Sequence, residues 1–133
     1  MTLRAFAVQL IAFLSIAVAM PASAGTHDAV QTTWRLLDYI AVDYTEAVSG
    51  GEVTNELEYA EMQEFSASVA ERMAALPANA HRAQLVAEAE ALVESISTKV
   101  EPAVVARDAR RLASELIAAF PVPLAPDAVP DLA

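Results

Sequence analysis

The feature that most constrains the fold is a helical stripe of large apolar residues in a chain otherwise rich in alanine. It centres on residues 31–44, QTTWRLLDYIAVDY, which contain the only tryptophan and two of the three tyrosines. Successive members are spaced by four, three, four, three and four residues, the period of one face of a packed helix. These members are Val30, Trp34, Leu37, Ala41, Tyr44 and Val48. The spacing predicts a long first helix that is buried along one side.

Local signals then divide the rest of the chain into three more helices. Gly50-Gly51 is expected to end the first helix. Asn55 and Glu58 have the spacing of a capping box, and the second helix is predicted to run from there to Leu76. Pro77 cannot continue that helix because proline disfavours a helical residue before it.

The third and fourth helices are predicted from the same kind of pattern. Asn79 is a candidate cap for the third, and Pro102 suits the first turn of the fourth. Both helices carry an apolar stripe, namely Leu85, Ala89, Leu92 and Ile96 in the third and Val105, Ala109, Leu112 and Leu116 in the fourth. No strand pattern competes. We therefore predict an all-α fold, an antiparallel up-down-up-down four-helix bundle over residues 25–120.

The two ends of the chain are predicted to lie outside the bundle. Residues 1–24 have the form of a cleaved signal peptide, with Arg4, an uncharged run over 5–19 and a small-x-small site at Ala22-Ser23-Ala24. We therefore expect an exported protein that is cut after Ala24 and has no membrane span after cleavage, with an uncleaved N-terminal anchor as the alternative. Residues 121–133 contain four prolines and favour an extended tail.

The charge and cysteine content exclude several classes of function. All 18 acidic residues lie after the leader, and the net charge of the whole chain is −10. Such a surface repels nucleic acid and anionic lipid but suits cations or a basic protein partner. Because the chain has no cysteine, it has no Cys-x-x-Cys-His motif, so we expect no haem in it.

Acidic residues of the first two helices are candidates for a metal site. On a helical wheel, Glu58 and Glu61 share one face with Met62 and would point toward the bundle. In an antiparallel hairpin, Asp43 and, further along, Asp38 would lie nearby. Carboxylates suit iron, manganese or calcium, and the thioether would add a soft ligand for copper. These five residues are therefore the predicted site, with iron first and copper as the alternative.

Two other interpretations of these helices stay open. Acidic residues are favoured in a first helical turn by the helix dipole alone, and Arg72 could neutralise a half-buried carboxylate. A metal-free docking domain would instead use Tyr39, Val42 and Tyr59 to contact a partner. An enzyme is not expected, because no Glu-x-x-His pairing, Ser-His-Asp set or phosphate-binding loop can be found.

Three segments resemble a known family. They are WRLLDYIAVDY at 34–44, EYAEM at 58–62 and PVPLAPDAVPDL at 121–132. They are similar to the N-terminal periplasmic region of bacterial iron permeases that are fused to a cytochrome c. The resemblance implies a non-enzymatic accessory role in iron uptake, with the permease and the cytochrome c module as partners. It also implies that this chain corresponds to the first module alone, either as a fragment or as a separately encoded piece.

Overall fold

The computed structural model describes residues 22–124, with side chains from residue 25 onward. Four helices follow one another, with one short hairpin between the first two. The elements are α1 (Ala22–Ala47), β1 (Val48–Ser49), β2 (Glu52–Val53), α2 (Glu56–Ala74), α3 (Arg82–Ser97) and α4 (Pro102–Ala119). Each helix packs against the next, and α4 packs back on α1. The predicted all-α, up-down-up-down four-helix bundle is confirmed.

The buried face of α1 is turned slightly from the predicted stripe. Ile40 and Ala47 are fully buried, whereas Trp34 is only partly buried against the core. Thr33 takes the inner position instead, and its hydroxyl donates a hydrogen bond to the Ala29 carbonyl at 2.7 Å. The predicted stripe is confirmed at its other five members, which are all buried, and Trp34 at its edge is only partly covered.

The link between α1 and α2 is a hairpin that the sequence analysis did not predict. Val48 pairs with Val53 and Ser49 with Glu52 in antiparallel register. Gly50 and Gly51 form the turn with φ values of 60° and 76°, the positive region that a tight hairpin turn requires. Strands of two residues are too short to show an alternating pattern, although the glycine pair did correctly mark the end of α1.

Asparagine side chains begin the two central helices, as the sequence predicts. The Asn55 Oδ1 accepts hydrogen bonds from the Leu57 and Glu58 backbone N–H groups at 3.1 and 3.2 Å. The Asn79 Oδ1 accepts from the His81 and Arg82 N–H groups, both at 2.9 Å. These bonds satisfy donors that a helix start leaves without a partner.

Residues 22–124 cover the predicted bundle and a few residues on either side of it. The first helix begins at Ala22, before the predicted cleavage point after Ala24. Residues 121–124 are non-helical, and the Gln31 side chain donates a hydrogen bond to the Pro123 carbonyl. The signal-peptide segment 1–21 and the remaining tail, 125–133, lie outside the described residues. Within residues 22–124, none of the helices is long and apolar enough to cross a membrane.

Candidate functional site

Two tyrosines close the end of the bundle at which α1 ends and α2 begins. The Tyr44 hydroxyl donates a hydrogen bond to the Val100 carbonyl at 2.8 Å. The Tyr59 hydroxyl donates to the Ile96 carbonyl at 2.9 Å, in the last turn of α3. The final carbonyls of a helix have no partner within it, so the two phenols hold α3 and the turn after it against α1 and α2.

This burial gives Tyr44 and Tyr59 a structural role. Tyr59 is 8% exposed, so its predicted place on a docking face is wrong. Burial raises the pKa of Tyr44 to about 12, with smaller contributions from Tyr59 and Glu101. Tyr44 therefore stays a neutral hydrogen-bond donor at any physiological pH.

The turn that these tyrosines hold has its own backbone constraint. Lys99 adopts a φ of 56° and lies directly after the end of α3. The Val100 N–H donates to the Ser95 carbonyl at 2.9 Å, and the Lys99 N–H donates to the Ile96 carbonyl at 3.1 Å. This pattern is a Schellman motif with lysine where glycine is usual. The Lys99 Nζ also lies 5.8 Å from the centroid of the Tyr59 ring.

An apolar surface lies on the outer side of α1 and α2. Tyr39 is 52% exposed and Val42 is 55% exposed, and their spacing of three residues places them on one side of α1. The Tyr39 ring packs against Phe65 of α2, with the ring centroids 6.1 Å apart. We call Tyr39, Val42 and Phe65 the outer face. Sequence analysis found its first two members but missed Phe65, because this contact depends on how α1 and α2 pair.

The five predicted metal ligands point in different directions. Met62 is fully buried in the core, and Asp43 and Glu58 are half-buried. Asp38 and Glu61 are exposed, so the expectation that Glu61 points inward is wrong. Across residues 22–124, no three His, Asp or Glu side chains form a group that could hold a metal ion. The structure does not bring these residues together as a preformed centre, and iron binding there stays a prediction.

Arg72, which was predicted as an alternative to a metal ion for neutralising a half-buried carboxylate, contacts none of the four predicted carboxylate ligands. Arg72 is exposed, and its Nε donates a hydrogen bond to the Ser68 hydroxyl at 3.1 Å. None of Asp38, Asp43, Glu58 and Glu61 forms an ion pair or a side-chain hydrogen bond with another part of the described chain. Arg72 therefore does not neutralise any of the four carboxylates.

A pair of carboxyl groups that sequence analysis did not single out lies between α3 and α4. When both groups are ionised, the Oε2 atoms of Glu88 and Glu115 are shielded from solvent without a hydrogen-bond donor. A protonated Glu115 can donate to Glu88, and this hydrogen bond raises the pKa of Glu115; burial and the Glu88 charge raise it further, and Arg111 opposes the shift. Finding this pair requires the register between two helices, which neither helix shows alone.

A shallow groove of about 300 Å³ runs between α1 and α4 beside Trp34. The small residues Ala113 and Ser114 leave this space on α4, which explains why the indole is only partly covered. Asp38 and Arg110 also line the groove but do not form an ion pair with each other. Asp38 therefore lies toward α4, away from the start of α2 where the metal site was predicted.

Comparisons with known proteins agree with this architecture. A family model described as the iron permease-associated 4-helix bundle domain matches residues 21–123. The matched range contains all four helices and the hairpin. No curated protein sequence matches the chain, and no solved structure matches it.

Proposed function

Because this chain belongs to the iron permease-associated 4-helix bundle domain family, we propose that it is a non-enzymatic accessory module of an iron-uptake permease system. Family membership indicates the association with a permease. The location that we propose is the periplasm, supported by the leader-like sequence of residues 1–24. Within the system, the proposed role is to dock against a protein partner.

The observation that carries this proposal is the outer face. Tyr39 and Val42 are each more than half exposed, although both are large apolar residues on a well-packed helix. Aromatic side chains of this kind are enriched among the residues that dominate binding energy at protein interfaces. Phe65 supports the Tyr39 ring from behind, so less conformational freedom is lost when a partner covers it.

Charge indicates what the partner surface should look like. Asp38 and Asp43 flank the outer face along α1, and the whole chain carries a net charge of −10. A complementary surface has an apolar centre and a rim of lysine or arginine, because opposite charges steer the two proteins together. We propose the permease as the partner, with the cytochrome c module implied by the family resemblance as the other candidate.

A binding measurement on the purified chain tests this proposal. The wild type, the Tyr39→Ser/Val42→Ser double variant and a Leu57→Ser control are titrated onto the iron permease of the same organism in detergent. Leu57 is a matched control because it is an apolar residue that is 82% exposed, at the start of α2. We expect the double variant to weaken binding about 10-fold or more and the control to bind as wild type. Equal binding by all three proteins would rule out the outer face.

Weak iron binding is a second candidate function, favoured by the four carboxylates that lack a partner in the described chain. Asp43 and Glu58 are half-buried, so a cation there would be partly desolvated and held more firmly. Oxygen ligands suit ferrous iron, whereas copper would need the Met62 sulfur to leave the core. We propose ferrous iron as the ion; because the carboxylates point in different directions, its binding would require their side chains to move.

Anaerobic calorimetry tests the iron proposal separately from docking. The chain is titrated with ferrous iron, manganese and cupric copper, alongside Glu58→Ala/Glu61→Ala and a Glu90→Ala/Glu94→Ala control. The control residues are exposed glutamates on α3 and remove the same charge. Saturable iron binding near one equivalent that is lost only in the first variant would support the site. Equal losses in both variants would indicate general charge attraction and contradict it.

A further inference from the structure

The contact between α3 and α4 contains two partly exposed glutamates, each with one carboxyl oxygen that is shielded from solvent. Glu88 and Glu115 each place one oxygen, Oε2, out of solvent and without a partner. The other Glu88 oxygen accepts a hydrogen bond from the Gln84 amide at 3.2 Å. Buried polar atoms of native proteins nearly always have a partner, so two such atoms in one contact call for an explanation.

The neighbouring charged groups compensate this pair only weakly. On α4, the Arg111 Nε lies 4.0 Å from the Glu115 Oε1, and the same guanidinium lies 3.5 Å from Asp108. Asp108 is itself paired with Arg107 at 3.0 Å. On α3, His81 is exposed and lines, with Glu115, a shallow pocket of about 200 Å³. Arg111 is therefore shared between Asp108 and Glu115 and lies beyond hydrogen-bonding distance of Glu115, and no ion pair reaches Glu88 within the described residues.

Binding of one proton would remove the repulsion between the two carboxylates and give the shielded oxygens a hydrogen bond. Two ionised carboxylates are both acceptors and repel each other, whereas a carboxyl group and a carboxylate form one charge-assisted hydrogen bond. We propose that Glu88 and Glu115 form a proton-operated latch, in which one shared proton closes the α3–α4 contact and its release to solvent loosens it. Of the four contacts between adjacent helices, the one between α3 and α4 is the least extensive, so a change in a single pair matters most there.

The direction of the pH effect follows from the raised pKa of Glu115. A carboxyl group with a higher pKa in the folded state binds its proton more tightly there than in the unfolded chain. Its contribution to stability is complete below the ordinary glutamate pKa and is lost as pH rises through the raised value. The latch is therefore closed at pH values below the raised pKa of Glu115 and open above it.

Thermal unfolding of the full chain between pH 4 and pH 8 tests the latch. We compare wild type, Glu115→Gln and a Glu90→Gln control, which removes an exposed charge from α3 that does not face another helix. The glutamine amide at 115 can donate to Glu88 without a shared proton, so we expect its Tm to exceed that of wild type by about 4 °C at pH 7.5. The difference should shrink toward pH 4. If Glu115→Gln and Glu90→Gln change the Tm equally at all pH values, the latch is wrong.

A direct titration of the Glu115 carboxyl group gives a second test that does not depend on thermal unfolding. Carbon-13 NMR of the glutamate side chains follows the Glu115 carboxyl in wild type and in Glu88→Gln. We expect Glu115 to titrate above the ordinary glutamate range in wild type and at lower pH in the variant, whose amide donates to the ionised form. Titration of Glu115 at the same pH in both proteins would overturn the proposal. The outer face lies on α1 and α2, whereas Glu88 and Glu115 lie on α3 and α4. The docking proposal and the latch proposal are therefore tested by different variants and can fail independently.

Discussion

Tyr44 and Tyr39 lie five residues apart on one helix and have opposite environments. Tyr44 is fully buried, and its hydroxyl is bonded to the turn that follows α3. Tyr39 is half exposed and touches Phe65 through its ring. The comparison shows that residue type alone does not decide which tyrosine is buried in this bundle. Tyr44 has a hydrogen-bond partner within the fold, whereas Tyr39 leaves much of its surface exposed, and it is there that we propose that another protein docks.

Truncating each tyrosine gives the largest difference between the two sides of α1. We expect Tyr44→Ala to lower the free energy of unfolding by about 3–5 kcal/mol, because it leaves a cavity and an unpaired carbonyl. We expect Tyr39→Ala to change it by less than about 1 kcal/mol. Urea unfolding followed by circular dichroism measures both values. Similar losses for the two variants would contradict the division between an inner anchor and an outer docking residue.

Removing only the hydroxyl groups sharpens the comparison. Tyr44→Phe keeps the ring but leaves the Val100 carbonyl without its donor, so we expect a cost of about 1–3 kcal/mol. Tyr59→Phe removes one of two donors to the Ile96 carbonyl, which keeps the Lys99 N–H, so we expect a smaller cost of about 0.5–1.5 kcal/mol. Tyr39→Phe is the control, and we expect a change within about 0.5 kcal/mol. The same unfolding experiment serves. A neutral result for both buried positions would mean that the hydroxyl bonds do not hold the turn.

The smallest expected effect concerns the turn that Tyr59 anchors. Lys99→Gly relieves the positive φ but removes the ammonium from the Tyr59 ring, so we expect the two changes to cancel within about 0.5 kcal/mol. Lys99→Ala loses the ring contact and keeps the backbone strain. We therefore expect alanine to be less stable than glycine by about 1 kcal/mol in the same assay. The reverse order would show that backbone strain at this position is negligible.

The elements that sequence analysis predicted correctly are those with local causes. The caps at Asn55 and Asn79, the proline start of α4 and the glycine turn after α1 each depend on a few adjacent residues. Periodicity also identified most of the core, because a bundle helix buries one continuous face.

The errors concern which way a helix is rotated and which residues meet across helices. Trp34 and Glu61 were predicted to face the core, but Trp34 is only partly buried and Glu61 is exposed. Tyr59 was predicted to lie on the surface, but it is buried. Phe65 and the Glu88–Glu115 pair depend on the register between neighbouring helices. A rotation of one residue, about 100° on a helix, decides such contacts, and no periodic pattern is sharp enough to fix it.

Site-specific photo-crosslinking in cells tests the central claim most directly. A photoreactive amino acid is placed at position 39, at position 42 or at the exposed control position 90 on α3, in cells that produce the iron permease of the same system. Our account predicts crosslinks to the permease or to its cytochrome c module from positions 39 and 42 and none from position 90. Crosslinks from position 90 alone, with none from the outer face, would contradict it.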